Sequence, residues 1–142
     1  MNSNKNATLT HSKKFSSYTI QGLAIGRTIG FPTINLSIPK HFPYQHGVYS
    51  VFLIINKIHL KGIFYFGPRY LEDNMGITLE AHILFKDKKD ENALKQITPK
   101  TKISFTIKDF IRPPRKISSK QELKKFITKD IHILTNIPVD NK

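Results

Sequence analysis

Two runs of β-branched and aromatic residues, Gly47–Ile55 (GVYSVFLII) and Ile58–Phe66 (IHLKGIFYF), are separated by Asn56 and Lys57 alone. No other feature of the chain limits its fold as strongly. Each run falls well short of the ~20 apolar residues that cross a bilayer as a helix. Their composition suits a pleated, half-buried surface instead. Two intervening residues are enough for a tight hairpin turn, and Asn accepts the positive φ such a turn requires. An antiparallel strand pair over 47–66 is therefore predicted.

The same period of two recurs elsewhere. Ser17–Ala24 (SYTIQGLA) reads as a strand. In Ile77–Phe85 (ITLEAHILF), Ile77, Leu79, Ala81, Ile83 and Phe85 alternate with Thr78, Glu80, His82 and Leu84, so Glu80 points away from the more apolar face. In Thr101–Ile111 (TKISFTIKDFI), Ile103, Phe105 and Ile107 oppose Lys102, Ser104, Thr106 and Lys108. Residues 67–76 (GPRYLEDNMG) have loop composition, and 86–100 form a charged excursion with at most a short helical turn. After Pro113-Pro114, Ser119 and Glu122 make a capping box. Leu123, Phe126, Ile127, Ile131 and Leu134 then repeat at helical spacing. Several short strands followed by one amphipathic helix predict a small antiparallel barrel with a helix on its flank. Residues 1–14 are expected to be a disordered polar tail, 15–135 one barrel domain and 136–142 a C-terminal tail.

Composition narrows the chemistry. The 142 residues include no cysteine, which excludes disulfides and thiolate metal sites and suits a reducing compartment. No secretory h-region opens the chain, so a cytoplasmic protein that makes no use of a membrane is expected. The net charge is +13, but nineteen of the 23 basic residues are Lys and isoleucine outnumbers valine twenty to three. That bias accounts for much of the charge, and nucleic acid is not an expected partner. More informative is the absence of any Asp or Glu before Glu72, which leaves residues 1–71 with a charge of +8 and no repulsion toward an anionic ligand.

Within that basic half lies Gly30–Leu36 (GFPTINL), where Thr33 and Asn35 stand two apart and share one face of an extended chain. Gly22–Thr28 (GLAIGRT) imitates a P-loop but has three residues between its glycines instead of four, and Arg27 in place of Lys. A Walker A site is rejected. A threonine hydroxyl and an asparagine carbonyl are hard oxygen donors suited to Mg²⁺. A single carboxylate such as Glu80 could take a proton from a hydroxyl nucleophile. These are parts for phosphoryl transfer, in which positioning and charge neutralisation dominate. The same residues would equally serve as local turn bonds and a solvated strand carboxylate.

The order GRTIGFPTINL, GVYSV, LEAHILF and FIRPPRKISSKQELKKFITKDI resembles the riboflavin kinase family over residues 18–133. The resemblance implies a mainly β fold, a six-stranded antiparallel Greek-key barrel with a C-terminal helix. It also implies ATP-dependent phosphorylation of riboflavin to FMN. By the family's pattern Thr33 and Asn35 would hold Mg²⁺ (or Mn²⁺ or Zn²⁺) and the ATP phosphates. Glu80 would be the base for the ribityl 5′-hydroxyl. Gly22, Gly26, Arg27, Gly30 and Pro32 would belong to the nucleotide site, and Arg112 would border the flavin. His82 is expected to be a supporting residue on the Glu80 face. A monomer is expected. The glycine segment GLAIGRTIG is shorter than is usual in the family, which motivates the alternative of a non-catalytic flavin- or nucleotide-binding module of the same fold.

Overall fold

Asn56 and Lys57 both adopt positive φ, 50° and 68°, so the backbone reverses within two residues, as the hairpin requires. The computed structural model describes residues 13–20, 32–68, 76–115 and 119–135. In chain order these form β1 (Lys14–Tyr18), β2 (Thr33–Leu36), β3 (Gly47–Ile55), β4 (Ile58–Pro68), β5 (Ile77–Leu84), α1 (Lys88–Leu94), β6 (Lys102–Arg112) and α2 (Lys120–Thr135).

The six strands make one sheet in the order β1-β6-β3-β4-β5-β2, with every pair antiparallel. β3, β4 and β5 form a meander, and β6 returns to lie beside β3, which is a Greek key. The sheet curls until its two edge strands meet. Thr19 bridges Leu36, Ile20 N–H donates to the Asn35 carbonyl (2.9 Å) and Ser37 N–H donates to that of Tyr18 (2.8 Å). This seam closes one corner of the barrel. Ser17 is buried against it, its hydroxyl donating to the Ser37 carbonyl at 2.5 Å.

β1 begins ahead of the strand expected over 17–24, of which residues 21–24 lie outside the described residues. Its inward residues are Phe15 and Ser17, so a satisfied serine stands where an apolar residue would have advertised the period. The charged excursion also differs from expectation. Asp87 caps the seven-residue α1 by accepting from Asp90 N–H (2.9 Å), and the segment delivers fully buried Leu94 and nearly buried Ile97 to the barrel core.

Inside the barrel, Phe15, Phe64 and Phe105 pack ring to ring among Ile34, Leu36, Val51, Leu53, Leu79, Ala81, Ile83 and Ile103. Outside it, Ile127 and Ile131 of α2 cover Val48, Ile63 and Tyr65. β3 is consequently buried on both faces over its first half. The helix starts as the capping box predicts, with Glu122 N–H donating to Ser119 Oγ (3.1 Å). The β3–β6 register shifts twice, between Val48/Tyr49 and Ser50/Val51, and such irregularities bend a strand and increase its local twist. A Cβ on Gly47 would stand 2.5 Å from the Phe110 ring and 3.0 Å from the Arg112 carbonyl. Only glycine lets β3 approach the end of β6 this closely.

Candidate active site

In β2 the apolar residues Ile34 and Leu36 are buried in the barrel, so Thr33 and Asn35 face outward. In β5, Leu79, Ala81 and Ile83 point in, and Glu80 and His82 point out. The antiparallel register sets Thr33 opposite His82 and Asn35 opposite Glu80, which puts all four side chains on one outer face. Residues so paired have their Cβ atoms roughly 4.5–5.5 Å apart. The row continues across the sheet as Asn35, Glu80, Tyr65, Val48 and Arg112, each opposite the next. Residues that are 45 positions apart in sequence, Asn35 and Glu80, are thus adjacent on the sheet.

Both sides of β2 are fixed. Ile83 N–H donates to the Pro32 carbonyl (3.0 Å) on the β5 side, and the Asn35 carbonyl is engaged by Ile20 across the seam. On this rigid backbone, Asn35 Oδ1 is a buried side-chain oxygen with no hydrogen-bond partner, the one such atom among the described residues. Leaving a buried acceptor unsatisfied costs roughly 1–3 kcal/mol. A cation would satisfy it. Thr33 Oγ1 lies beside it on the same strand face, 3.1 Å from His82 Nδ1. Two neutral oxygens, one of them orphaned, fit a hard divalent cation such as Mg²⁺, which takes few protein ligands. Among the described residues no group of three or more His, Cys, Asp or Glu offers a competing metal site.

His82 is 3 % exposed, and burial lowers its pKa from 6.5 to about 4, so the imidazole is neutral near pH 7. Glu80 is partly buried beside it. Arg112 closes the far end of the row. Its Nε and Nη2 donate to Asp130 Oδ1 (3.2 Å) and Oδ2 (2.9 Å) of α2, and its guanidinium lies 5.2 Å from the centroid of the Phe126 ring. Burial raises the Asp130 carboxyl, opposed by hydrogen bonding and charge attraction from Arg112. The arginine therefore clamps the terminal helix to the sheet.

The structure brings Thr33, Asn35 and Glu80 together and places Arg112 on the same face, spent on Asp130. Pro32 immediately precedes β2, its carbonyl bonded by Ile83 N–H. Gly22, Gly26, Arg27 and Gly30 lie outside the described residues. Asp130 was missed in the sequence. Its signal was an acidic residue at a helical spacing of three from Ile127, on the apolar stripe itself. Among the described residues no helix is long and apolar enough to cross a membrane.

Comparison with known proteins identifies the family. The flavokinase family model, described as riboflavin kinase, matches residues 9–137. A bifunctional riboflavin kinase/FMN adenylyltransferase of Buchnera aphidicola subsp. Schizaphis graminum is 34% identical over 123 residues, covering 84% of this chain and 36% of the relative. The chain thus spans little more than a third of that relative's length. Among solved structures, one titled as a macrolide-efflux protein from Streptococcus pneumoniae superposes with a TM-score of 0.67 at 23% identity, over 89% of this chain and 40% of that one. At that identity the likeness concerns the fold alone. With the family model spanning nearly all of the sequence, and with the barrel and its outward polar row as described, this chain belongs to the riboflavin kinase family.

Proposed function

We propose that the chain transfers the γ-phosphate of ATP to the ribityl 5′-hydroxyl of riboflavin, giving FMN and ADP. The observation that carries this reading is the orphaned Asn35 Oδ1 set directly across from Glu80, with Thr33 on the same face. Thr33 Oγ1 and Asn35 Oδ1 would hold Mg²⁺, or Mn²⁺ or Zn²⁺ in its place. When bound, the cation supplies charge neutralisation at the phosphate oxygens. Glu80 accepts the 5′-hydroxyl proton while the O5′–Pγ bond forms and the bond from Pγ to the β-phosphate oxygen breaks, releasing ADP. Gly22, Gly26, Arg27, Gly30 and Pro32 would line the nucleotide. Arg112 contributes at the flavin end by holding α2 in place through Asp130. A monomer acting in the cytoplasm completes the proposal.

The test is to incubate the purified protein with riboflavin, ATP and Mg²⁺ and separate the flavins by chromatography. FMN that forms only with both ATP and metal is the expected result. Absence of FMN, with riboflavin fluorescence still titrating against protein, would replace the kinase by a flavin-binding module.

A further inference from the structure

We propose that Phe110 is a flavin-binding residue: the open face of its ring is the platform on which the isoalloxazine of riboflavin stacks. This inference deepens the kinase reading above and rests on it.

Phe110 is 46 % exposed, the one exposed phenylalanine among the described residues. It stands near the end of β6, two residues before Arg112, which the kinase reading puts at the flavin end of the site. Glu80 and Arg112 lie in one row across the sheet with β4 and β3 between them. Riboflavin carries its 5′-hydroxyl at one end and its fused aromatic rings at the other. A hydroxyl brought to Glu80 therefore leaves the rings to reach toward the β6 end of the row.

The Phe110 ring is held without being covered. One edge lies on Gly47, where a Cβ would stand 2.5 Å from Cε1 and 3.3 Å from Cδ1. Tyr49, paired with Phe110 across β3 and β6, meets it with ring centroids 5.3 Å apart and planes at 67°. Tyr49 is fixed in turn, since its hydroxyl donates to the Gln45 carbonyl (2.6 Å) and its ring packs on that of Tyr44 at 5.6 Å. Phe110 cannot turn inward past this buried tyrosine. An aromatic side chain contributes chiefly through the area it removes from water, and a ring fixed at the surface forgoes much of that gain. A flat aromatic ligand laid on it restores the gain, and the substrate of the proposed reaction is one.

Titration of riboflavin fluorescence against wild type, Phe110→Leu and Phe110→Trp tests the contact. Leu keeps an apolar side chain but has no π face, whereas Trp keeps the face and quenches the fluorescence of a flavin that it touches. Phe110→Leu should weaken riboflavin binding roughly 2–10-fold, the fold-change expected of one aromatic pair. Its KM for riboflavin should rise by the same factor, with the KM for ATP unchanged. Phe110→Trp should bind as tightly as wild type and leave the bound flavin darker than wild type does. Wild-type riboflavin affinity in Phe110→Leu, or bound flavin in Phe110→Trp as bright as in wild type, would overturn the proposal. If wild type forms FMN and Phe110→Leu has an unchanged KM for riboflavin, this inference falls and the kinase reading stands. If wild type binds riboflavin but forms no FMN, the kinase reading falls and the two titrations still decide the platform. Wild type that binds no riboflavin would remove both. Thermal melts control for folding, and if Phe110→Leu does not fold, quenching in Phe110→Trp decides.

Discussion

The two faces of β5 follow different rules. Inward, Leu79, Ala81 and Ile83 are at most 1 % exposed and share a core with all six strands. Such a face tolerates exchange of one apolar residue for another provided that volume is kept. Outward, Thr78, Glu80 and His82 stand among an orphaned amide oxygen, a histidine that burial holds neutral and an arginine committed to a buried carboxylate. The inner face maximises stability, whereas the outer face gives some of it up to hold polar groups in place. Local rules broken at one patch of an otherwise consistent fold mark a functional site.

The strongest challenge to this contrast is Glu80→Gln. Turnover should fall by ~10²–10⁴, the usual contribution of a positioned base, while the melting temperature stays as in wild type. Unchanged turnover would show that the outer face is not where the chemistry occurs.

Asp130→Ala probes how the helix is held on that face. Removing one partner of a buried ion pair strands the other, and a loss of about 3 kcal/mol is expected in urea unfolding, since Arg112 retains some access to water. A loss of only a few tenths would mean that the apolar contacts of Ile127 and Ile131 hold α2 alone.

Acid should distinguish the faces as well. Unfolded, His82 takes up a proton near pH 6.5, but in the metal-free fold it resists protonation until about pH 4. Stability from this site is therefore complete above 6.5 and is lost as the pH falls toward 4. The wild type should lose about 3 kcal/mol more than His82→Asn over that interval. Parallel pH profiles for the two proteins would remove the burial effect.

The smallest effect has the opposite sign. Asn35→Leu replaces an unsatisfied buried acceptor with an apolar group of similar shape, and should stabilise the metal-free protein by about 1 kcal/mol while abolishing metal-dependent activity. Destabilisation would show that Asn35 already has what it needs without a cation.

The outward row was only partly legible in the sequence. Thr33 with Asn35, and Glu80 with His82, were each readable as sharing a face, because a period of two is a local property. That the two pairs oppose each other depends on which strands neighbour one another, and no short-range signal reports that. The resemblance to a family supplied it. The core was clearest where side chains were uniformly apolar, as in the 47–66 hairpin. It was obscured where the barrel is sealed by residues that look like surface: Ser17 inside the seam, and Leu94 and Ile97 in a stretch dominated by Lys, Asp and Glu. Arg112 stands at the end of the row, and its partner Asp130 lies eighteen residues further on in a different element.

The seam between β1 and β2 has an evolutionary consequence. These strands are consecutive in sequence, yet they close the barrel from opposite edges, and bonds at Tyr18, Ile20, Asn35 and Ser37 pin the chain on both sides of residues 21–31. A segment whose two ends are already held can gain or lose residues cheaply, because each doubling of a loop costs only about 0.6 kcal/mol in closure entropy. Insertions and deletions between those anchors leave every strand register intact. The strand pairings on either side of this stretch are therefore independent of its length.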